Sequence, residues 1–123
     1  MNMKSKIERN PKDLGEVLLC TLDDLIPGSG VCALCEGRQV ALFWLPELEP
    51  AVYAIGNYDP MGGANVLSRG IVGDIGGEVV VASPLYKHHY SLRDGHCLED
   101  DSVFVPVYEV RVSDGAVYCK VPG

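Results

Sequence analysis

Positive charge is scarce in this 123-residue sequence: 10 Lys and Arg stand against 17 Asp and Glu, for a net charge of −7 and an isoelectric point near 4.8. Binding to DNA or RNA rests on clustered Lys and Arg that neutralise phosphates. Here the basic residues are scattered beyond position 12, so nucleic acid is not an expected partner. Long apolar runs are also missing. The longest, Val40 to Leu45, is far too short to cross a bilayer, so no membrane association is expected. Met1 to Asn10 is polar and charged and lacks the apolar segment of a secretory signal, which makes the cytoplasm the expected location. No stretch sustains i, i+3, i+4, i+7 apolar spacing long enough for a full helix. An odd number of cysteines, five, in a reducing compartment argues against a disulfide framework. There is a single tryptophan, Trp44, and its place inside the most apolar run predicts a core residue.

What the sequence does contain is an ordinary core-forming composition, 47% apolar with a mean hydropathy of +0.11. That is enough for one domain to fold without a staple. Residues 1–12 carry four of the ten basic groups and almost no apolar side chains, which predicts a flexible tail ahead of a single β domain over 13–123. Short β-prone runs follow at Glu16–Thr21, Val31–Cys35, Arg38–Trp44, Ala51–Ile55, Ile71–Val72, Glu78–Ala82, Tyr90–Leu92, Val107–Val112 and Ala116–Lys120. Leu22–Ile26 suits one helical turn. Glu36-Gly37, Asp94-Gly95 and Ser113-Asp114-Gly115 supply the glycine that tight hairpins need at positive φ. Many short strands at regular spacing predict an all-β fold, a small antiparallel sandwich or barrel. Two long segments interrupt the meander, Gly56–Gly70 and Ala82–Gly95. Long loops in a compact β domain tend to carry function.

Several motifs bear on chemistry. Cys32 and Cys35 form a C-x-x-C, but residues i and i+3 of a strand face opposite ways, so their sulfurs do not converge on one ion. Two unrelated, half-buried thiols are expected. His88 and His89 are adjacent, with His96 and Cys97 nearby. By the same alternation at most one of the pair faces a given site, and surface or rim positions are expected for all three histidines. Nothing matches a nucleophile elbow. Met61-Gly62-Gly63-Ala64 lacks the Gly-Lys-Ser/Thr ending of a phosphate loop.

The two long loops carry a recognisable pattern. Asn57-Tyr58-Asp59-Pro60-Met61-Gly62-Gly63-Ala64, with Leu67 and Gly70 after it, resembles the first cluster-binding loop of Rieske proteins, N-x-C-P-H-x-G-A. Ser83-Pro84-Leu85-Tyr86, then Tyr90 and Gly95, resembles the second, C-P-x-H. The resemblance spans about residues 15–120 and implies a Rieske-like [2Fe–2S] domain fold. A Rieske centre takes two Cys and two His. The matching positions hold Asp59, Met61, Ser83 and Tyr86, so the cluster ligands are absent. The combined segments GNYDPMGGANVLSRGIVGD and VVASPLYKHHYSLRDGHCLED are similar to the small subunits of assimilatory NAD(P)H-dependent nitrite reductases.

That family resemblance implies a bacterial, cytoplasmic enzyme of nitrate assimilation that reduces nitrite to ammonium. Its large subunit carries FAD, an iron–sulfur cluster and sirohaem. This chain would then bind no cofactor, hold no catalytic residue and contact no small-molecule substrate. Hydrogen bonds from Asp59 and Ser83, with Met61 packed on Leu85 or Tyr86, would replace the cluster as the link between loops. Met61, Leu85, Tyr86 and His88 would form an exposed tip that docks on the large subunit. The competing expectations are a stand-alone Rieske-type electron-transfer ferredoxin and a small C-x-x-C redox or zinc protein.

Overall fold

The computed structural model describes residues 15–120, so the expected tail over 1–12 and the two ends of the expected 13–123 domain lie outside the described residues. Fourteen strands account for most of the rest. They are β1 (Glu16–Thr21), β2 (Gly30–Cys35), β3 (Arg38–Trp44), β4 (Val52–Gly56), β5 (Tyr58–Asp59), β6 (Ala64–Asn65), β7 (Ile71–Ile75), β8 (Glu78–Ala82), β9 (His89–Ser91), β10 (His96–Cys97), β11 (Asp100–Phe104), β12 (Val107–Tyr108), β13 (Val110–Ser113) and β14 (Ala116–Lys120). Single 3-10 turns occur at Leu22–Asp24 and Leu67–Arg69. No helix among the described residues is long and apolar enough to cross a membrane.

Three antiparallel sheets carry the fold, ordered β1-β14-β13, β12-β4-β3-β2 and β11-β10-β9-β8-β7, and β5-β6 is a miniature hairpin. The four-stranded sheet is the middle layer. Ala41, Phe43, Tyr53 and Ile55 point from it into a first core, shared with Val79, Val81, Tyr90 and Cys97 of the five-stranded sheet. Val40, Leu42, Val52 and Ala54 point the other way, into a second core closed by Val117 and Cys119 of β14. A sheet buried on both faces needs apolar residues at every position, not every second one. That requirement explains the unbroken run from Val40 to Leu45. Trp44 lies at the end of β3 and is half-buried against the second core, so the largest apolar side chain sits at the rim and not at the centre.

The hairpin turns follow from backbone chemistry. Glu36-Gly37 (φ 53° and 81°) joins β2 to β3, and Asp114-Gly115 (φ 51° and 78°) joins β13 to β14. Both match two-residue turns whose central residues are left-handed. Gly95 (φ 82°) is more constrained, because a Cβ there would lie 2.1 Å from the Val105 carbonyl oxygen.

Candidate functional site

The long loops meet beside the first core. In the first loop, Asn57 ties both ends together. Its backbone N–H donates to the Gln39 carbonyl at 3.1 Å, its carbonyl accepts from the Leu67 N–H at 3.1 Å, and its side-chain oxygen accepts from the Ser68 N–H at 2.7 Å. Between these anchors the chain folds back as β5 and β6, with Tyr58 opposite Asn65 and Asp59 opposite Ala64. The turn between them closes with the Gly63 N–H on the Asp59 carbonyl at 2.7 Å, and the Met61 N–H bonds Asp59 Oδ1 at 3.0 Å. In the second loop the Ser83 N–H bonds the His88 carbonyl at 2.9 Å, and Lys87 turns the chain at φ 61°.

Asp59 is the hub that joins the loops. Its carboxylate is fully buried at 0% exposure. Ser83 Oγ–H donates to Oδ2 at 2.5 Å, and Tyr90 O–H donates to Oδ1 at 2.7 Å. His88 Nε2 lies 2.9 Å from Oδ1 and 3.1 Å from Oδ2 and donates to this acceptor-only group. Burial by itself pushes the Asp59 carboxyl up, but bonds from Ser83, His88, Tyr90 and the Gly62 N–H outweigh it and hold the group at about 2. The tyrosine moves the other way: burial and the neighbouring carboxylate raise Tyr90, keeping its phenol protonated as a donor.

Contact between the loops is close. A Cβ on Gly62 would lie 2.5 Å from Leu85 Cδ1 and 2.8 Å from Asp59 Oδ2, so only glycine fits between the second loop and the carboxylate.

This arrangement has a pH signature with a definite sign. The carboxyl is depressed from its ordinary 3.8 to about 2 in the folded chain. Its contribution is therefore complete above 3.8 and is lost as pH falls through about 2. The amount is on the order of 2 kcal/mol. Urea unfolding midpoints measured from about pH 5 down to about pH 2 will fall for the native chain, and this acid-dependent loss will be shallower in Asp59→Asn.

The expected site residues separate into two groups. Asp59 and Ser83 are buried and bonded to each other, as well as to their local backbone through the Met61 and Leu85 N–H groups. Met61, Leu85 and Tyr86 are exposed at 44%, 42% and 74%. His88 departs from the expectation. It is 6% exposed, lies edge-on to Tyr90 with ring centroids 5.3 Å apart, and faces inward as part of the hub. The left-handed turn at Lys87 and the alternation with Tyr90 two residues later aim it at Asp59. His89 and His96 do sit toward the surface, each beside a carboxylate, Glu99 and Asp94 respectively.

Sequence reasoning missed Tyr90 and the inward role of His88, although an i, i+2 His/Tyr pair beside a loop acid was a usable signal. Cys32 and Cys35 face opposite ways as expected, but one is exposed and the other buried, so neither is half-buried.

Residues 17–120 match the model of the Rieske-like [2Fe-2S] domain family. The chain is 50% identical over 102 residues to the nitrite reductase (NADH) small subunit of Salmonella typhimurium, covering 83% of this chain and 94% of that one. The chain belongs to the nitrite reductase small-subunit family. A solution structure of the nitrite reductase [NAD(P)H] small subunit from Erwinia carotovora superposes with a TM-score of 0.74 at 45% identity, covering 89% of this chain and 83% of the other. A nitrite reductase [NAD(P)H] large subunit from Klebsiella oxytoca is 42% identical over 100 residues, which cover 81% of this chain and 10% of that one.

For a member of this family the Rieske cluster poses a direct question of fit. The cluster takes two thiolates on one iron and two imidazoles on the other. Gly56–Gly70 contains no Cys and no His, and the matching positions are Asp59, Met61, Ser83 and Tyr86. Both Asp59 oxygens already accept bonds from Ser83, His88 and Tyr90. Among the described residues, no three His, Cys, Asp or Glu side chains are grouped to hold a metal ion. These residues do not fit the cluster.

Proposed function

We propose that this chain is the non-redox subunit of an NAD(P)H-dependent nitrite reductase. The enzyme reduces nitrite to ammonium in nitrate assimilation and works in the bacterial cytoplasm. The redox groups (FAD, an iron–sulfur cluster and sirohaem) belong to the large subunit, and this chain binds none of them. The observation that carries this reading is the Asp59 hub. Where a Rieske protein ties its two loops with iron and sulfide, this chain ties them with Ser83, His88 and Tyr90 on one buried carboxylate. The loop architecture is kept and the electron-transfer chemistry is not, which disfavours an autonomous ferredoxin. The opposed faces of Cys32 and Cys35 disfavour a C-x-x-C zinc or redox protein.

What the hub holds in place is an apolar tip. Met61, Leu85 and Tyr86 project from it, and exposed Tyr58 and Phe104 line a cleft beside Pro60 on the same end. Exposed aromatic and Met/Leu groups on a rigid support have the character of an interface core. The partner is the large subunit. The similarity of this chain to a segment of the Klebsiella large subunit supports that pairing, because it places a domain of this kind in the same polypeptide as a large subunit.

Co-expression of the large subunit with and without this chain tests the assignment. Nitrite-dependent NAD(P)H oxidation, or the yield of intact large subunit, will fall when the chain is omitted. Equal activity and equal yield in both preparations would overturn it. The purified chain alone will be colourless, whereas a brown sample absorbing in the visible would favour the ferredoxin reading.

A further inference from the structure

The cleft beside the tip is apolar, open and already formed. Its volume is about 270 Å³, just below the ~300–1,000 Å³ of small-molecule pockets, a size that suits an inserted side chain. Tyr58, Pro60, Phe104, Pro106 and Tyr108 wall it. Tyr58 and Phe104 are 51% and 69% exposed, so much of this apolar surface faces water in the free domain. The backbone holds the walls in place. Val105 is buried in the first core with its N–H on the Gly95 carbonyl at 2.9 Å, and the Gly56 N–H donates to the Pro106 carbonyl at 2.8 Å. Those bonds fix the segment that carries Phe104. The Asn57 anchors and the β5-β6 hairpin fix Tyr58 and Pro60. Rings held this way meet a partner without the ordering cost of a mobile loop.

The charge of the cleft runs against that of the chain. Arg38, at the start of β3, is its only charged lining residue among those described. It is exposed and has no ion-pair partner among the described residues. None of the described acidic side chains lines the cleft, in a sequence that has 17. Gln39 follows Arg38 and lines the cleft as well. Its Oε1 accepts from Asn57 Nδ2 at 2.9 Å and from Cys32 Sγ at 3.6 Å, which leaves the amide only N–H donors to offer. The start of β3 therefore presents a cation and neighbouring donors beside exposed rings.

We propose, building on the docking of the tip on the large subunit, that this cleft takes an aromatic side chain of the large subunit and that Arg38 pairs with an Asp or Glu beside that side chain. Aromatic groups and Arg are the residues that anchor protein interfaces. An acidic segment is repelled by most of a chain with net charge −7, and the unpaired Arg38 marks where it is accepted. Pro60 lines the cleft and precedes Met61 of the tip, so one partner surface covers both. The tip supplies apolar contact, and Arg38 supplies the choice of partner segment and its orientation.

Calorimetric titration of the purified large subunit with variants of the full chain tests this. Arg38→Glu will weaken binding by at least ~10-fold and Arg38→Gln by less, and Arg38→Gln will also flatten the decline of affinity with salt. Phe104→Ala will weaken binding by ~5-fold or more at every salt concentration. Lys120→Gln removes the same charge from the three-stranded sheet and will bind like the native chain. All these side chains are exposed, so the variants will melt with the native chain. Phe104→p-benzoylphenylalanine will cross-link to the large subunit on illumination, and changing the acid nearest the cross-linked position to Lys will restore binding to Arg38→Glu. If Arg38→Glu and Phe104→Ala bind like the native chain while Leu85→Glu and Tyr86→Ala bind weakly, the cleft is overturned and the tip stands. Native-like binding by all four overturns both. Equal losses from Arg38→Gln and Lys120→Gln would reduce the effect to net charge, and cross-links only to a second copy of this chain or within the chain would give the cleft another occupant. Either result overturns the proposal.

Discussion

Replacing Asp59 by alanine will cost the domain about 3–5 kcal/mol, the scale of three buried donors losing their shared acceptor at roughly 1–3 kcal/mol each. The reason lies in what remains. Ser83 Oγ, His88 Nε2 and the Tyr90 hydroxyl all aim at the carboxylate from buried positions, and without it each loses the acceptor for its hydrogen. At roughly 3–6 °C per kcal/mol for a domain between the surveyed size classes, the melting temperature will drop by on the order of 10–20 °C. Ser83→Ala removes one of the donors and will cost less. The Asp59→Ala/Ser83→Ala pair will be less than additive, because the serine has already lost its acceptor. Thermal melts of the three variants against the native chain measure this. A double variant that melts with the native chain would show that the hub does not hold the loops.

The second large effect is on association. Leu85→Glu will weaken binding to the large subunit by at least ~30-fold, corresponding to a lost interface anchor of about 2 kcal/mol or more. Leu85 is 42% exposed, so a carboxylate there is solvated in the free domain and stripped of water only when a partner covers the tip. One end of its side chain also touches Gly62, so some of the effect of Leu85→Glu belongs to the fold. Tyr86→Ala separates the two contributions. Tyr86 is 74% exposed, and its ring stacks on His88 at 6.4 Å between centroids. Calorimetric titration of the large subunit with both variants, alongside their circular dichroism melts, gives the answer. Folded variants that bind like the native chain would remove the tip as the contact.

The turns show how far local chemistry reads directly. Glu36-Gly37 and Asp114-Gly115 declare themselves because φ > 0 is costly for most residues and glycine relieves it. Gly76-Gly77 is the same device (φ 59° and 88°) between β7 and β8, and it extends the predicted Ile71–Val72 run to Ile75. Strands that break the apolar pattern were not legible. β11 begins with Asp100 and Asp101 and is largely exposed, while β5 and β6 are two residues each inside a glycine-rich loop. The predicted single strand Val107–Val112 is two strands. The chain leaves β4 after Tyr108 and joins β14 at Val110. Period-2 alternation reports which residues face a core, and it carries no information about which of two sheets the strand belongs to.

The sequence alone determined that this is an all-β chain with two Rieske-type loops. It also determined that those loops hold Asp59, Met61, Ser83 and Tyr86 in place of the cluster ligands, because both conclusions depend on residue identity and local spacing. Only the tertiary structure decided what replaced the cluster. Asp59 is 24 residues from Ser83, 29 from His88 and 31 from Tyr90, and the direction of His88 hangs on a left-handed residue at Lys87. Tertiary structure likewise decided that Cys35 shares the second core with Cys119 while Cys32 is exposed on the other face of β2, since which residues share a core is set by how two sheets stack. Composition, with its scarcity of clustered positive charge, gave no expectation of a nucleic-acid partner, and within the fold the scarce resource proved to be buried charge. One carboxylate, supplied with three side-chain donors, joins two loops that the sequence shows only as separate.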